Sequence, residues 1–238
     1  MNITKAVIVA AGLSSRLYPL TLERPKGLLK VNEEELLLRS VKALRAMGIQ
    51  EIAVVVGYKK EMIMDTLGRD ITYIANPFYQ QCNNMGSLWF AKNWIAADPI
   101  VYLHGDIIYH NDILKLNYTD ALQHDCALDL ITDFGPVNEE AMKVRVTAEH
   151  MLIESNKGIP LHEAAGEWTG IAFIKDPKAA LAYMEKIMFE EGLNYYDTHA
   201  FTRMAHQGFQ IYCSSTRNLP WLEIDFLEDY ERAKEIFK

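Results

Sequence analysis

Residues 6–30 constrain the fold of this chain more than any other stretch. The segment opens with a short apolar run, Ala6–Ala11, which is rich in β-branched residues and too short for an isolated helix. Such a run predicts a buried strand of a parallel sheet. The run ends at Gly12, and a polar loop with two prolines follows. Because glycine has no Cβ, the backbone can pass close to a ligand at this point.

The loop after Gly12 carries groups that suit a phosphorylated ligand. Free backbone N–H groups in such a loop form an anion-binding concavity. Arg16 and Lys26 add positive charge for phosphate oxygens. The glycine spacing fits neither a P-loop nor a dinucleotide fingerprint. We therefore expect a nucleoside triphosphate site, although a strand followed by a glycine also occurs in any α/β protein.

The stretch Ala10–Thr21, together with Pro25–Leu29, resembles the signature of the nucleotidyltransferases that activate phosphorylated small molecules. That superfamily includes sugar-1-phosphate nucleotidyltransferases and phosphocholine cytidylyltransferases. The short chain and its Asn83–Asn84 segment resemble the bacterial CTP:phosphocholine branch, which also includes enzymes that act on phosphonates. The resemblance is strong in the signature and weaker over most of the remaining chain. It implies an enzyme that uses CTP and Mg²⁺.

Composition and charge limit the classes of protein to which this chain can belong. A chain of 238 residues with 50% hydrophobic content suits an α/β protein, and we expect 1–238 to be a single nucleotidyltransferase domain. The net charge of −8 argues against binding nucleic acid. Three scattered cysteines, no evident signal peptide and no apolar run near ~20 residues favour a cytoplasmic protein that does not cross a membrane. A homodimer is compatible with the sequence.

The pattern of elements predicts the fold class. Helical and strand patterns alternate over 33–47, 52–56, 60–67 and 71–75. This alternation implies parallel strands with right-handed crossovers, whose carboxyl ends bind ligands. From Asp125 onward, short strands follow one another without long helices, which predicts an antiparallel extension. We therefore expect a Rossmann-like three-layer α/β/α fold with a mostly parallel mixed sheet, and an acceptor-binding insertion at roughly 125–170.

Two aspartates are candidate metal ligands. The apolar strand Ile100–His104 leads through Gly105 to Asp106, whose carboxylate would be poorly solvated unless it is paired or metal-bound. The resemblance implies that Asp106 holds Mg²⁺, which prefers oxygen ligands. It implies the same role for Asp225, just before the last helix. The alternative for each aspartate is a helix cap, and we expect His104 to be a packing residue.

The resemblance also distributes roles around the nucleotide. We expect Arg16 at the β- and γ-phosphates and the leaving pyrophosphate, and Lys26 near the α-phosphate and the incoming oxygen. Amide and hydroxyl groups in the segment 76–87 can recognise a base edge. Ser87 could instead cap a helix predicted from about 87 to 97. The predicted nucleotide-binding residues are Ala10, Ala11, Gly12, Ser14, Ser15, Asn83, Ser87 and Gly105.

The acceptor site is predicted from the second half of the chain and the amide segment. Lys143 lies in a strand pattern where it could bind an acceptor phosphate or be solvated. A glycine within the predicted strand 168–174 indicates close approach of a backbone or ligand. Asp197 could face a cationic head group, although a helix N-cap is the favoured alternative. The predicted acceptor-binding residues are Asn84, Lys143, Glu167, Gly170 and Asp197.

The sequence is compatible with three alternative functions. The first is transfer of CMP from CTP to a phosphocholine-like or 2-aminoethylphosphonate-like acceptor, with release of pyrophosphate. The second is a sugar-1-phosphate nucleotidyltransferase that uses UTP or dTTP. The third is a non-catalytic nucleotide-binding protein on the same fold. Aromatic residues at 168, 195 and 196 could cage a quaternary ammonium, but core packing explains them equally well.

Overall fold

The structure is a computed structural model that describes residues 2–238, and a nine-stranded mixed sheet forms its centre. The strands are β1 (Lys5–Ala10), β2 (Lys30–Val31), β3 (Glu34–Glu35), β4 (Glu51–Val56), β5 (Thr72–Ala75), β6 (Ile100–His104), β7 (Ile107–Tyr109), β8 (Leu128–Asp133), β9 (Lys143–Val146), β10 (Leu152–Asn156), β11 (Gly166–Ile174), β12 (Ile211–Ser215) and β13 (Trp221–Glu223). The helices are α1 (Leu36–Ala46), α2 (Lys60–Leu67), α3 (Asn84–Phe90), α4 (Lys92–Ile95), α5 (Asn111–Ala121), α6 (Pro177–Glu190), α7 (Asp197–His206) and α8 (Leu227–Ile236). Across residues 2–238, no helix combines the length and apolar character needed to cross a membrane.

Strand β1 lies at the centre of the parallel part of the sheet. It pairs in parallel with β4 on one side and β6 on the other, and β5 continues the sheet beyond β4. Its side chains alternate between the two faces. Ala6 and Ile8 therefore join one hydrophobic cluster, while Val7 and Val9 join another. The prediction of a buried parallel strand at the start of the chain is confirmed.

Helices cover both faces of the sheet. The cluster that contains Ile8 includes residues of α1, α2 and α5, and the cluster that contains Val7 includes residues of α3, α6 and α7. A third cluster packs Leu17 and Leu29 against Ile224 and α8, which ties the N-terminal loop to the C-terminal segment. The predicted three-layer α/β/α arrangement is confirmed.

The antiparallel extension consists of β9, β10 and β11. Strand β11 also pairs antiparallel with β6 and with β8, and its register with β8 shifts between Trp168 and Ala172. Gly170 lies in this irregularity with φ +80°, a backbone angle that favours glycine. A Cβ on Gly170 would lie 3.0 Å from the ring of His104. The irregularity therefore brings β11 against the end of β6.

Two helices differ from the sequence-based expectation. The helix predicted to start near 87 begins at Asn84, and it is divided into α3 and α4. Helix α5 was not predicted. Its buried face carries Asn117, whose Nδ2 donates to the carbonyls of Ile113 and Ser215. A buried polar residue therefore interrupts the apolar spacing by which such a helix is recognised.

Candidate active site

A cleft of about 310 Å³ opens where β1 and β6 end. The carboxyl edge of parallel strands is where open α/β sheets bind ligands. The structure brings most of the predicted nucleotide, catalytic and metal residues together in this cleft. Those that line it are Ala11, Gly12, Ser14, Ser15, Arg16, Lys26, Asn83, Asn84, Ser87, Asp106 and Asp225.

The loop after β1 is fixed on the sheet and leaves open space above it. The N–H of Tyr58 donates to the Ala11 carbonyl at 3.0 Å, and the Thr21 hydroxyl donates to the Ser14 carbonyl at 2.7 Å. Within residues 2–238, and apart from Gly12 and its two chain neighbours, no heavy atom lies within 4 Å of the position that a Cβ on Gly12 would take. A side chain at this position would fill part of the cleft, so the glycine leaves room for a ligand.

Two predicted nucleotide residues lie beneath the cleft and do not line it. The N–H of Gly105 donates to the Val9 carbonyl at 2.9 Å, which joins the end of β6 to β1. A Cβ on Gly105 would lie only 2.8 Å from the Cβ of Ala10. These two residues therefore contact each other, and their small size lets the strand that leads to Asp106 approach β1 closely.

Lys26 forms the centre of a charge cluster. Its Nζ lies 2.8 Å from Asp106 Oδ2 and 2.8 Å from Asp225 Oδ1, and the residue is only 8% exposed. Burial alone would lower the pKa of this ammonium, but the two carboxylates raise it above its ordinary value. Lys26 is therefore charged at neutral pH. The two aspartates, far apart in sequence, face one another across this single ammonium group.

Neither aspartate is a helix cap, which was the structural alternative for both. Asp106 lies in the turn between β6 and β7. Asp225 precedes α8, but the carboxylate of Asp229 accepts from the N–H groups of Asp225 and Phe226 and caps that helix. The Asp225 carboxylate instead contacts Arg16, whose guanidinium lies 2.7 Å from Oδ2. Both predicted cations and both predicted metal ligands thus belong to one cluster.

Glu223 and His104 also face the cluster, although neither is among the residues predicted from the sequence to belong to the site. Each offers a ligand atom within 4.8 Å of the other and of Asp106. Burial and the charges of Asp106 and Asp225 raise the pKa of Glu223 to about 7. The sequence did contain a signal for both residues. Glu223 stands two residues before Asp225, and His104 stands two residues before Asp106. In extended chain, side chains two residues apart point to the same side.

The carboxylates provide oxygen atoms that could hold a cation. Asp106 Oδ1 is buried and has no hydrogen-bond partner within residues 2–238. A buried carboxylate oxygen without a partner is costly unless a cation binds it. Mg²⁺ prefers oxygen ligands, keeps several waters and needs only one or two carboxylates besides substrate phosphates. The donor set of Asp106 and Asp225, with Glu223 beside them, therefore fits that ion.

Asp197 holds its neighbours in place from the interior. It is fully buried, and its Oδ2 accepts from the Tyr102 hydroxyl at 2.6 Å and lies 3.0 Å from His104 Nε2. Its backbone N–H donates to Asn84 Oδ1 at 3.0 Å. Burial alone would lower the pKa of His104, but Asp197 raises it to about 9.

Asp197 is the first residue of α7, directly after the N-cap residue Tyr196, and its Oδ1 accepts from the N–H of Thr198 at 2.8 Å. It therefore stands one residue beyond the predicted cap position. It does not line the cleft, so the predicted direct contact with an acceptor is wrong.

Three of the predicted acceptor residues line two cavities beside the cleft. Asn84 and Gly170 line a small one, of about 50 Å³. Glu167 lines a larger one, of about 720 Å³. Both cavities extend to Glu223 and Asp225 and thus adjoin the charge cluster.

Lys143 does not take the position expected of an acceptor ligand. It is fully buried, and its Nζ donates to the carbonyls of Asn138 and Glu139 at 3.3 and 2.9 Å. It lines neither of the two cavities. The solvated alternative is equally incompatible with this burial. The ammonium instead fixes the segment that precedes β9.

The three aromatic residues considered for a cationic head group differ in their surroundings. Trp168 is only 3% exposed, belongs to the hydrophobic core, and donates from Nε1 to the Ile171 carbonyl at 2.9 Å. Tyr195 stacks on His199. Tyr196 lines the cleft. Tyr196 and Trp168 also line the small cavity of about 50 Å³, whereas Tyr195 lines neither that cavity nor the cleft, so the three rings do not form one cage.

The chain is similar to known proteins over most of its length. A family model described as the MobA-like NTP transferase domain matches residues 6–135. The chain belongs to this family. As a member of the MobA-like NTP transferase family, it is an enzyme of the nucleotidyltransferase class, which transfers a nucleotide from an NTP to an acceptor.

Individual relatives match nearly the whole chain. A choline-phosphate cytidylyltransferase of Streptococcus pneumoniae is 26% identical over 98% of this chain and 98% of its own length. A CTP:phosphoglutamine cytidylyltransferase of Campylobacter jejuni is 27% identical over 95% of this chain and 97% of its own. The solved inositol-1-phosphate CTP transferase of T. maritima has a TM-score of 0.82, 20% identity, and coverage of 99% and 97%. This structural likeness supports the Rossmann-like fold.

Proposed function

We propose that this member of the MobA-like NTP transferase family is a Mg²⁺-dependent cytidylyltransferase. It would transfer CMP from CTP to a small acceptor that carries a phosphate or phosphonate, such as a phosphocholine-like or 2-aminoethylphosphonate-like compound, and release pyrophosphate. The full-length relatives named for CTP and for phosphorylated acceptors support this choice. The observation that carries the proposal is the Lys26 ammonium held between Asp106 and Asp225, in one cleft with the Gly12 loop.

The cleft offers what a reaction between two anions requires. An oxygen of the acceptor phosphate attacks the α-phosphorus of CTP, a new P–O bond forms, and the bond to the pyrophosphate oxygen breaks. The attacking oxygen is already anionic at neutral pH, so the protein need not supply a general base. Alignment and neutralisation of charge are what the site must provide.

The two cations divide this work by position. Arg16 is 48% exposed at its side chain and joins Asp225 at the rim, so it can turn toward the β- and γ-phosphates and the leaving pyrophosphate. Lys26 is held deep in the cleft by two carboxylates, which keeps its ammonium charged and restricts its position. We place it near the α-phosphate and the incoming oxygen. The loop N–H groups beyond Gly12 add uncharged donors to the phosphates.

The metal ligands in this proposal are Asp106 and Asp225. The partnerless Oδ1 of Asp106 and the closeness of the Asp225 carboxylate support this assignment. When bound, Mg²⁺ would supply Lewis-acid stabilisation of charge on the phosphate oxygens. The carboxylates themselves orient Lys26, and Glu223 lies where its protonation depends on the charge of its two acidic neighbours.

A pyrophosphate-release assay tests the proposed function. The protein is incubated with Mg²⁺, with CTP, UTP, dTTP, ATP or GTP, and with phosphocholine, 2-aminoethylphosphonate, other phosphorylated amino compounds, or sugar 1-phosphates. We expect release with CTP and an acceptor from the first three groups. Release only with UTP or dTTP and a sugar 1-phosphate would replace the proposal with a sugar-nucleotide activity. The absence of release with every pair would favour a non-catalytic nucleotide-binding protein.

A further inference from the structure

Asn76, directly after β5, has an amide whose orientation is fixed by its surroundings. The residue is 1% exposed, and its Oδ1 accepts from the N–H of Phe78 at 2.9 Å. Because a backbone N–H can only donate, this contact identifies the oxygen end of the amide. Nδ2 therefore points to the Ser87 hydroxyl oxygen at 3.0 Å and to the Cys82 sulfur at 3.2 Å.

This amide prevents the Ser87 hydroxyl from donating its hydrogen toward Asn76. An amide nitrogen only donates, so the oxygen of Ser87 must accept from Asn76. In the part of the chain that the structure describes, residues 2–238, this is the only hydrogen bond of that hydroxyl. Ser87 also lines the nucleotide cleft. Its own hydrogen is therefore left to be donated to a ligand there.

Asn83 lines the same wall of the cleft as Ser87, and its side chain also has hydrogens free to donate. Its Oδ1 accepts from the N–H of Asn84 at 2.9 Å, which leaves the amide N–H groups for the cleft. The wall thus offers two donors, one hydroxyl and one amide. Cytosine presents two neighbouring acceptors, O2 and N3. Uracil presents the acceptor O2 beside an N3 that carries a hydrogen, so one of the two donors would meet another donor.

We infer that Asn76 is a positioning residue for nucleotide selectivity. It takes up one acceptor site of the Ser87 hydroxyl and leaves the hydroxyl hydrogen for N3 of the base, which favours cytosine over uracil. The inference rests on the proposed use of CTP and adds the reason why the site would prefer that base. Asn76 acts through Ser87 and does not itself line the cleft.

The substitution Asn76→Asp tests the inference by reversing the hydrogen bond. A carboxylate only accepts, so the Ser87 hydrogen would turn away from the cleft and leave lone pairs facing the base. The contact from the Phe78 N–H is retained. The Ser87 lone pairs would then face the acceptor N3 of cytosine but could accept from the N3–H of uracil. We therefore expect the ratio of kcat/KM for CTP to that for UTP to fall about tenfold or more, because a mismatched hydrogen-bonding pair is strongly rejected.

Three further variants separate positioning from a general structural effect. Asn76→Ala frees the hydroxyl to rotate and should lower the CTP:UTP ratio by a smaller factor. In a Ser87→Ala background, Asn76→Asp should change the ratio no further, since the group through which it acts is missing. Asn117→Asp is the matched control, because Asn117 is equally buried but lies in α5, and it should leave the ratio unchanged.

Each outcome decides the inference. A lowered ratio in both Asn76 variants, lost in the Ser87→Ala background, supports it. A native-like melting profile with an unchanged ratio overturns it, as does a shift that persists without Ser87. If N76D does not fold, N76A alone decides by the same criterion. A wild-type protein that turns over other nucleotides but not CTP would overturn the proposed function and this inference together, whereas a CTP-specific wild type with unresponsive Asn76 variants overturns the inference alone.

Discussion

Replacing Lys26 with methionine removes the ammonium while keeping a side chain of similar length. In the structure this ammonium contacts Asp106 and Asp225 at 2.8 Å each. Breaking a fully buried ion pair by removing one partner costs about 3–5 kcal/mol. The two aspartate side chains remain 26% and 13% exposed, and Arg16 still pairs with Asp225. Solvent and this remaining pair reduce the expected loss of unfolding free energy to about 2 kcal/mol.

A loss of this size is measurable by thermal unfolding. For a chain of 238 residues, a change of about 2 kcal/mol lowers Tm by roughly 4–8 °C. The experiment is done first without divalent cations. Addition of Mg²⁺ should then raise Tm more in Lys26→Met than in the wild type, because the cation replaces the missing positive charge between the carboxylates.

The same variant should lose activity far beyond its loss of stability. Removing a charge that stabilises the transition state lowers kcat by ~10²-fold or more, which we expect at a temperature where the variant remains folded. Lys92→Met is the matched control, since Lys92 pairs with Glu185 at a site where the two side chains are 35% and 44% exposed. It should change the unfolding free energy by less than ~1 kcal/mol. Unchanged turnover in a folded Lys26→Met protein, or a Tm equal to that of the control, would refute the reasoning.

Three other substitutions give distinct outcomes. Asp225→Asn should weaken Mg²⁺ binding and reduce pyrophosphate release by ~10²-fold or more, and calorimetric titration with Mg²⁺ that matches the wild type would contradict this. Burial, with the charge of Asp133, raises the pKa of Glu167 to about 7 from an ordinary 4.5, so the folded state binds more protons than the unfolded state between these pH values. Stability should therefore be full below pH 4.5 and fall toward pH 7 with a slope of up to ~1.4 kcal/mol per pH unit. Urea unfolding of Glu167→Gln should lack this part of the slope, and equal slopes in both proteins would be evidence against the shift. Lys143→Met should lower the unfolding free energy by about 1–3 kcal/mol because two carbonyls lose their donor, while the acceptor KM stays unchanged; a raised KM would restore Lys143 to the acceptor site.

The strands and helices could be predicted from the sequence where the apolar residues of each one follow a regular spacing. Strand β1 reads as a continuous apolar run because both of its faces are buried, and helix α2 has the predicted bounds, Lys60–Leu67. Helix α5 could not be recognised in the same way, because Asn117 occupies its buried face, where it donates to the Ile113 carbonyl of the same helix and to the distant Ser215 carbonyl. Local periodicity contains no information about such a partner.

Some site residues could likewise be predicted from the sequence, and others could not. Gly12, Arg16 and Lys26 are recognisable because they lie in one continuous segment that resembles the nucleotidyltransferase signature. The position of Lys143 was not accessible from its alternating pattern, because the carbonyls that receive its ammonium come from the preceding loop. The interior position of Asp197 likewise depends on Tyr102, distant in sequence, which donates to its carboxylate.

The most direct test of the account is a crystal structure of the protein with CTP and Mn²⁺, in which anomalous scattering locates the metal. The account predicts a peak between the carboxylates of Asp106 and Asp225, with the triphosphate over the Gly12 loop and Lys26 near the α-phosphate. A metal bound by other residues, or a triphosphate outside that loop, would contradict it.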